Sequence, residues 1–338
     1  MQPTVAILLP KRADHHGDPV SVFILRRFAF LVVSLLASSV VIFIGMSVLG
    51  GDAVDALLGQ RGTPAAAAEL RKEYGLDRPE VEQYVSWMSG LVTGNLGTSV
   101  ISGVDVDQQL KERLAVTIPL ALFAIILSVA YAVPAGVYSA YVRRKRRGRF
   151  ISVLAQIGIA VPEFWIGLLL VIVFAVKLGW VPAGGFTRWS QDPLQALRSL
   201  LLPAVAIAVV QGAILTRYVR ASMIDEMGEE YVVVARTKGL SMWSALWRHG
   251  LRNTGVKVLT VLGLQLGVLI SGAIIIENVF ALPGLGRLVI QGVQERDLVL
   301  VQSAAMVLTA LVLILNLVID VLYGVIDPRI RVAGVRSD

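Results

Sequence analysis

The sequence predicts an all-α membrane protein with six transmembrane helices. Three observations carry this reading. Hydrophobic residues make up 56% of the 338 and charged residues only 16%, too apolar a balance for a soluble domain of this length. The charges are also clustered, leaving apolar runs long enough to cross a bilayer. Finally, the basic residues fall unequally on alternate loops, as they do when a chain is threaded through a membrane.

In chain order, residues 1–27 read as a cytoplasmic tail, polar over Met1–Ser21 and carrying the pair His15-His16. Arg26-Arg27 precede the first apolar run, Phe28–Gly51, which contains no charge. A cleavable signal peptide is the rival reading, but the run is longer than a signal core and ends without a clear small-x-small site. It is read as the first transmembrane helix, residues 28–51. Residues 52–113 read as an extracytoplasmic helical cap, with an alanine-rich helix at Pro64–Tyr74 and a second helix from Glu80, after Pro79.

Residues 114–325 read as a five-helix core. Its spans are Leu114–Val142, with Pro119 and Pro134 as kinks, then Phe150–Val176, Ser199–Thr216, Val258–Ile276 and Leu298–Ile319. The basic run Arg143–Arg149 reads as a topology anchor rather than a nucleic-acid site, because it lies between two spans. Ala281–Asp297 reads as an external loop, and residues 326–338 as a second cytoplasmic tail. With six spans both termini share one side. Twenty of the Lys and Arg residues fall on that side and eleven on the other, so both termini are expected in the cytoplasm.

Much chemistry is excluded. Without cysteine there is no disulfide framework and no thiol nucleophile. No phosphate-binding G-x-x-x-x-G-K-[ST] loop occurs, so ATP-driven work must come from another subunit. The histidines are His15, His16 and His249, all outside the spans, which removes any credible Ser/His/Asp set. What remains is a few polar groups in apolar surroundings. Glu163 follows Pro162 within the third span, where a helix break beside a polar cavity is expected. It is a candidate for a transport pathway, with packing as the alternative. Gln156, Gln211 and Gln265 are candidates for pathway lining or for hydrogen bonds between helices. Glu277 and Asp320 stand at span ends, where a structural role is expected.

The most informative stretch is Tyr231–Asn253, within a loop at residues 223–257. Tyr231–Lys238 reads as two turns of helix, Gly239 as its left-handed end and Ser241 as the N-cap of a second short helix bearing Met242, Ala245 and Leu246 on one side. Such a basic helix–glycine–helix suits the transfer of force to a cytoplasmic partner. An amphipathic helix resting on anionic lipid is the alternative.

Taken together these stretches resemble the inner-membrane permease subunits of dipeptide and oligopeptide ABC importers, with their nickel, glutathione and haem-type relatives. The resemblance runs through Tyr74–Ser99, Arg113–Gly136, Val161–Gly185, Leu202–Gly239, Glu277–Gly286 and Asp320–Arg331, and it fits the first-permease branch. It implies a type I ABC importer permease fold in the bacterial inner membrane. It also implies a non-catalytic chain that works with a second homologous permease, two ATPase subunits that bind ATP and Mg, and an extracytoplasmic substrate-binding protein. No cofactor on this chain and no nucleic acid is expected.

Within the resemblance the loop is similar to the EAA loop that docks in a groove of the ATPase. Tyr231, Ala235, Arg236, Lys238, Gly239 and Leu240 match its helix and turn, and the small side chain of Ala235 is expected to let that helix approach the groove. The chain departs from the pattern at Val233, Val234 and Ala235, which hold the Glu-Ala-Ala positions. It departs again at Lys257, where a proline is usual, and at Asn95, where an aspartate is usual. An ion- or proton-coupled secondary transporter is disfavoured by the lack of an internal repeat, and a membrane-bound enzyme by the missing catalytic set.

Overall fold

A computed structural model describes residues 20–49, 54, 58 and 63–326. Residues 1–19 of the expected N-terminal tail, with the His15-His16 pair, the expected C-terminal tail and the end of the resemblance from Asp327 lie outside the described residues; residues 20–27 of that expected tail are helical instead. The described residues form helices with no strand among them.

The first span is α1 (Val20–Leu49), which starts a turn and more before the uncharged run. Two short helices follow outside the bundle. In α2 (Pro64–Glu73), Pro64 occupies the first turn, where its missing N–H costs nothing, and the Thr63 hydroxyl accepts a hydrogen bond from Ala66 N at 3.3 Å. In α3 (Glu80–Thr93), Glu80 and Glu82 sit in the first turn, where the helix dipole favours them, and Gly94 ends the helix at φ 79°. Helix α3 leans on α1 through the rings of Phe43, Tyr84 and Trp87 and a 2.9 Å hydrogen bond between the hydroxyls of Ser39 and Tyr84.

The second span, α4 (Val106–Tyr141), runs unbroken through both prolines. The expected kinks therefore do not interrupt it. At Pro119 the reason is visible: the carbonyl that its missing N–H would leave free, Ala115 O, accepts a 2.7 Å hydrogen bond from the indole of Trp189.

The third span is not one straight crossing. Helix α5 (Arg146–Ala160) takes up part of the basic run, and α6 (Glu163–Leu170) continues in a wider i→i+5 turn over Val171–Lys177. The two halves meet at Val161-Pro162 with a bend of 101°, because the residue before a proline is pushed out of helical geometry.

Helix α7 (Pro193–Glu226) is capped by Asp192, whose side chain accepts from Leu194 N and Gln195 N at 3.0 Å. In its most apolar 18-residue stretch 78% of residues are buried, against 6% in α1. Helix α7 is thus the axis of the bundle, and α1 lies at its edge against α12 (Leu298–Ile326). The core is built from small and branched residues of α7 itself, α4 and α10 (Leu251–Val279), such as Ala124, Ala204, Ile207, Ala273 and Ile276. Small side chains let helices approach closely in lipid, where burial of apolar surface gives little drive.

Two expected loops are helical. Helix α8 (Glu230–Thr237) is the short helix of the loop at 223–257. The helix after it, α9 (Met242–Ala245), does not stop but passes through an i→i+5 turn at Leu246–Gly250 into α10, so the second short helix is the first part of the fifth span. Ala281–Asp297 contains α11 (Leu285–Glu295), whose Leu285, Leu288 and Gly292 are buried on one face.

Candidate functional site

Among the polar meetings in the bundle, two involve carboxylates that the sequence singles out, and a third feature lies outside it. At the middle of the bundle, Gln211 Nε2 of α7 donates a 2.9 Å hydrogen bond to Glu163 Oε1. Gln265 Nε2 of α10 donates to the backbone carbonyl of Gln211 at 3.3 Å. Three of the four pathway candidates thus come together from three spans. Gln156 does not join them: it is exposed on α5 and makes no hydrogen bond to the others.

The break at Pro162 puts Glu163 in the first turn of α6, where the helix dipole favours its charge. The carboxylate lies directly over Gly272 of α10, in space that any Cβ at that position would fill. Gln211 is 2% exposed, yet its Oε1 has no hydrogen-bond partner. Glu163 is half-buried, and among the described residues no cation pairs with it. Beside the two glutamines lies an apolar cavity of about 260 Å³, walled by Leu122, Leu262, Leu266 and Leu315 among others. A polar link with spare capacity next to an apolar recess is an arrangement that can hold a mobile solute weakly.

Toward the other end of α10, Glu277 is 0% exposed and both its carboxylate oxygens accept hydrogen bonds. It accepts from the Thr117 hydroxyl at 2.6 Å, from Gly286 N at 2.8 Å and from Arg287 N at 3.3 Å. Thr117 Oγ1 in turn accepts from Leu285 N at 2.9 Å. The first turn of α11 has therefore been capped from another helix. Glu277 is a structural group, and Gly284 is required beside it because a Cβ there would strike the carboxyl. Sequence reasoning did not find this cap. The buried stripe Leu285, Leu288, Gly292 was the signal for the helix it serves.

Outside the bundle, α8 folds back on α9. Val232 is 0% exposed and Ala235 7%, both packed on Ala245, with Tyr231, Leu240 and Met242 around them. Ala235 thus faces inward. Its small size serves the close approach of α8 to α9. The turn is made by Gly239 at φ 94°, a conformation that a side chain would strain, and Leu240 N bonds back to Ala235 O at 3.2 Å. Ser241 caps α9 by accepting from Ser244 N at 3.2 Å. Outward from α8 stand Val233 and Val234, 51% and 49% exposed, with Arg236 and Lys238. Among the described residues no three His, Asp or Glu side chains group as metal ligands.

The comparisons with known proteins agree with this architecture. Residues 132–332 match the model of the binding-protein-dependent transport system inner membrane component, and residues 20–121 match the N-terminal model of such membrane components. A putative peptide transport system permease protein of Brucella abortus is 39% identical over 312 residues, covering 92% of this chain and 99% of the relative. The oligopeptide transport system permease protein of Bacillus subtilis is 33% identical over 315 residues, 92% of this chain and 100% of the relative. The dipeptide transport system permease protein of Escherichia coli is 33% identical over 333 residues, 91% and 98% of the two chains. With matches along nearly all the described residues, the chain belongs to the inner membrane components of binding-protein-dependent transport systems and is a multi-pass permease subunit of an ABC importer.

Proposed function

We propose that this chain forms half of the translocation pathway for a peptide or peptide-like solute and passes ATPase movement to the spans through α8. The observation that carries the coupling role is the outward pair Val233 and Val234 on a short helix whose other face is sealed by Val232 and Ala235. An apolar pair exposed midway along a short helix outside the bundle is suited to a partner's groove. In this reading a second, similar permease completes the pathway. Two ATPase subunits bind ATP with magnesium, and a binding protein delivers the solute on the opposite side. Both termini and α8 are cytoplasmic, as the basic asymmetry supports. The printed names of the relatives support a peptide-like solute. Nucleotide-driven closure of the ATPases would switch the spans between inward- and outward-facing states, and Glu163, Gln211 and Gln265 would face the passing solute.

The test is to reconstitute the full complex in liposomes with the Val233→Asp/Val234→Asp double variant and, separately, with Gly239→Val. A labelled peptide that the cognate binding protein retains serves as probe. Loss of ATPase subunits from the double variant is expected, and loss of uptake from both, with the spans still extracted as a folded unit. Normal retention, stimulated hydrolysis and uptake in both variants would remove α8 from the coupling role.

A further inference from the structure

One carboxylate at the α8 end of the molecule ties three segments together. Glu226 is the last residue of α7, and its side chain is only 6% exposed. Its Oε1 receives Lys257 Nζ of α10 at 3.1 Å, as both ion pair and hydrogen bond. Its Oε2 accepts from the hydroxyl of Tyr231 in α8. About one turn away, the hydroxyls of Ser222 and Thr254 stand 3.2 Å apart between the same two spans. The approach is close here, since a Cβ added at Gly250 would lie 3.9 Å from Glu226 Cβ.

Apart from its packing on α9, the first part of the fifth span, ties between α8 and the long spans are few. Its buried face packs on α9 and the turn after it. Among the described residues, the Tyr231–Glu226 bond is the one side-chain hydrogen bond that leaves α8 for a long span. A push on α8 therefore reaches α10 by packing through α9, and it reaches the end of α7 at Glu226, whose carboxylate joins the two spans through Lys257. Hydrogen bonds to a charged group are stronger and more directional than neutral ones, and in a partly buried place they resist replacement by water.

We propose that Glu226, with Tyr231 and Lys257, is a positioning strut that makes α7 and α10 move as one body with α8. The proposal rests on the reading of α8 as the ATPase-docking helix and adds which residues carry the movement onward. Lys257 is the position where the chain departs from the proline of the resembling family. A proline there would offer no cation to Glu226, so the tie depends on the lysine this chain carries.

The full complex with its binding protein tests the strut through Glu226→Gln, Lys257→Met, Tyr231→Phe and the swapped pair Glu226→Lys/Lys257→Glu. The first readout is the ratio of binding-protein-stimulated to basal ATP hydrolysis, beside subunit retention. A role confined to stability lowers retention, or both rates together, and leaves the ratio alone. The second readout uses the absence of native cysteine. Spin labels at Thr237 and Leu264, both exposed, report the distance between α8 and α10 before and after trapping with ATP and orthovanadate.

Expected is a fall in the ratio of about tenfold for Glu226→Gln and about threefold for Tyr231→Phe, in keeping with loss of charge-assisted bonds. The swapped pair should recover most of it. The label distance should stay fixed on trapping in the native complex and change in Glu226→Gln. Tyr231→Phe keeps the ion pair, so it decides the matter even where Glu226→Gln fails to assemble. An unchanged ratio in assembled Tyr231→Phe and Lys257→Met overturns the strut. If the Val233→Asp/Val234→Asp variant also hydrolyses and transports normally, the docking reading fails instead.

Discussion

Glu277 and Glu163 are two carboxylates set in apolar spans, and the chain treats them in opposite ways. Glu277 is fully buried and accepts three hydrogen bonds, two of them from the N-terminus of α11. Glu163 is half-buried and accepts one, from an amide that itself keeps an unpaired oxygen. A carboxylate in an apolar span is costly in either place. At Glu277 the cost is offset within the chain by oriented N–H groups, so the residue has finished its work once the fold is made. At Glu163 it is offset only in part, which leaves capacity for something from outside the chain. On the proposed reading, unused hydrogen-bonding capacity, not depth in the membrane, separates the working acid from the structural one.

The largest effect that sharpens this contrast is expected at Glu277. Glu277→Ala removes the acceptor from the Gly286 and Arg287 N–H groups and from the Thr117 hydroxyl in a closed interior. Each orphaned donor costs about 1–3 kcal/mol, enough together to empty the membrane of folded protein. Thermal denaturation of the detergent-extracted complex measures it. A variant as stable as the native protein would mean that α11 is not held by this cap, and the comparison would collapse.

Glu163→Gln should behave otherwise. The amide keeps the volume and can still accept from Gln211, so stability should stay within about 1 kcal/mol, as for exposed substitutions that break no buried network. Uptake of a labelled peptide should nevertheless fall about tenfold, the scale of one lost interaction with a charged group. Loss of assembly in place of transport would move Glu163 into the same class as Glu277.

Much of the fold was legible because charge-free runs, prolines and glycines punctuate this sequence clearly. The extents of the spans were not. Helix α4 begins at Val106 although Asp107, Lys111 and Arg113 lie in its first turns, because a helix leaving the bilayer accepts charges and Asp107 pairs with Lys111 at 2.8 Å. Pro283-Gly284 looked like a loop and proved to be the entry to α11, where the glycine makes room for a carboxyl from another helix. At the candidate sites the residue types were legible and the partners were not. Glu163, Gln211 and Gln265 are far apart in sequence, and only the bend at Pro162 brings the first to the other two. Ala235 faces inward because Val232 and Ala235, three apart on α8, share the side that meets Ala245. Glu226 attracted no notice at all, since its partners stand 5 and 31 positions away.

Asp320 supplies the smallest and finest test of the contrast. It is a third carboxylate on a long helix, paired at 3.0 Å with Arg27 of α1, and the two side chains are 35% and 42% exposed. It has the cation that Glu163 lacks but not the enclosure that Glu277 has. Arg27 lies near the start of α1 and Asp320 near the end of α12, which places the pair at the rim of the bilayer, where water and headgroups reach it. A pair so placed contributes about 0–1 kcal/mol and weakens with salt. Asp320→Asn should therefore lower the melting temperature only slightly, and the difference from the native protein should shrink further as salt is raised. If the loss is instead large and insensitive to salt, the pair lies within the hydrocarbon. Exposure in the isolated chain would then be exposure to lipid, and Asp320 would belong with Glu277 among the acids that the fold itself consumes.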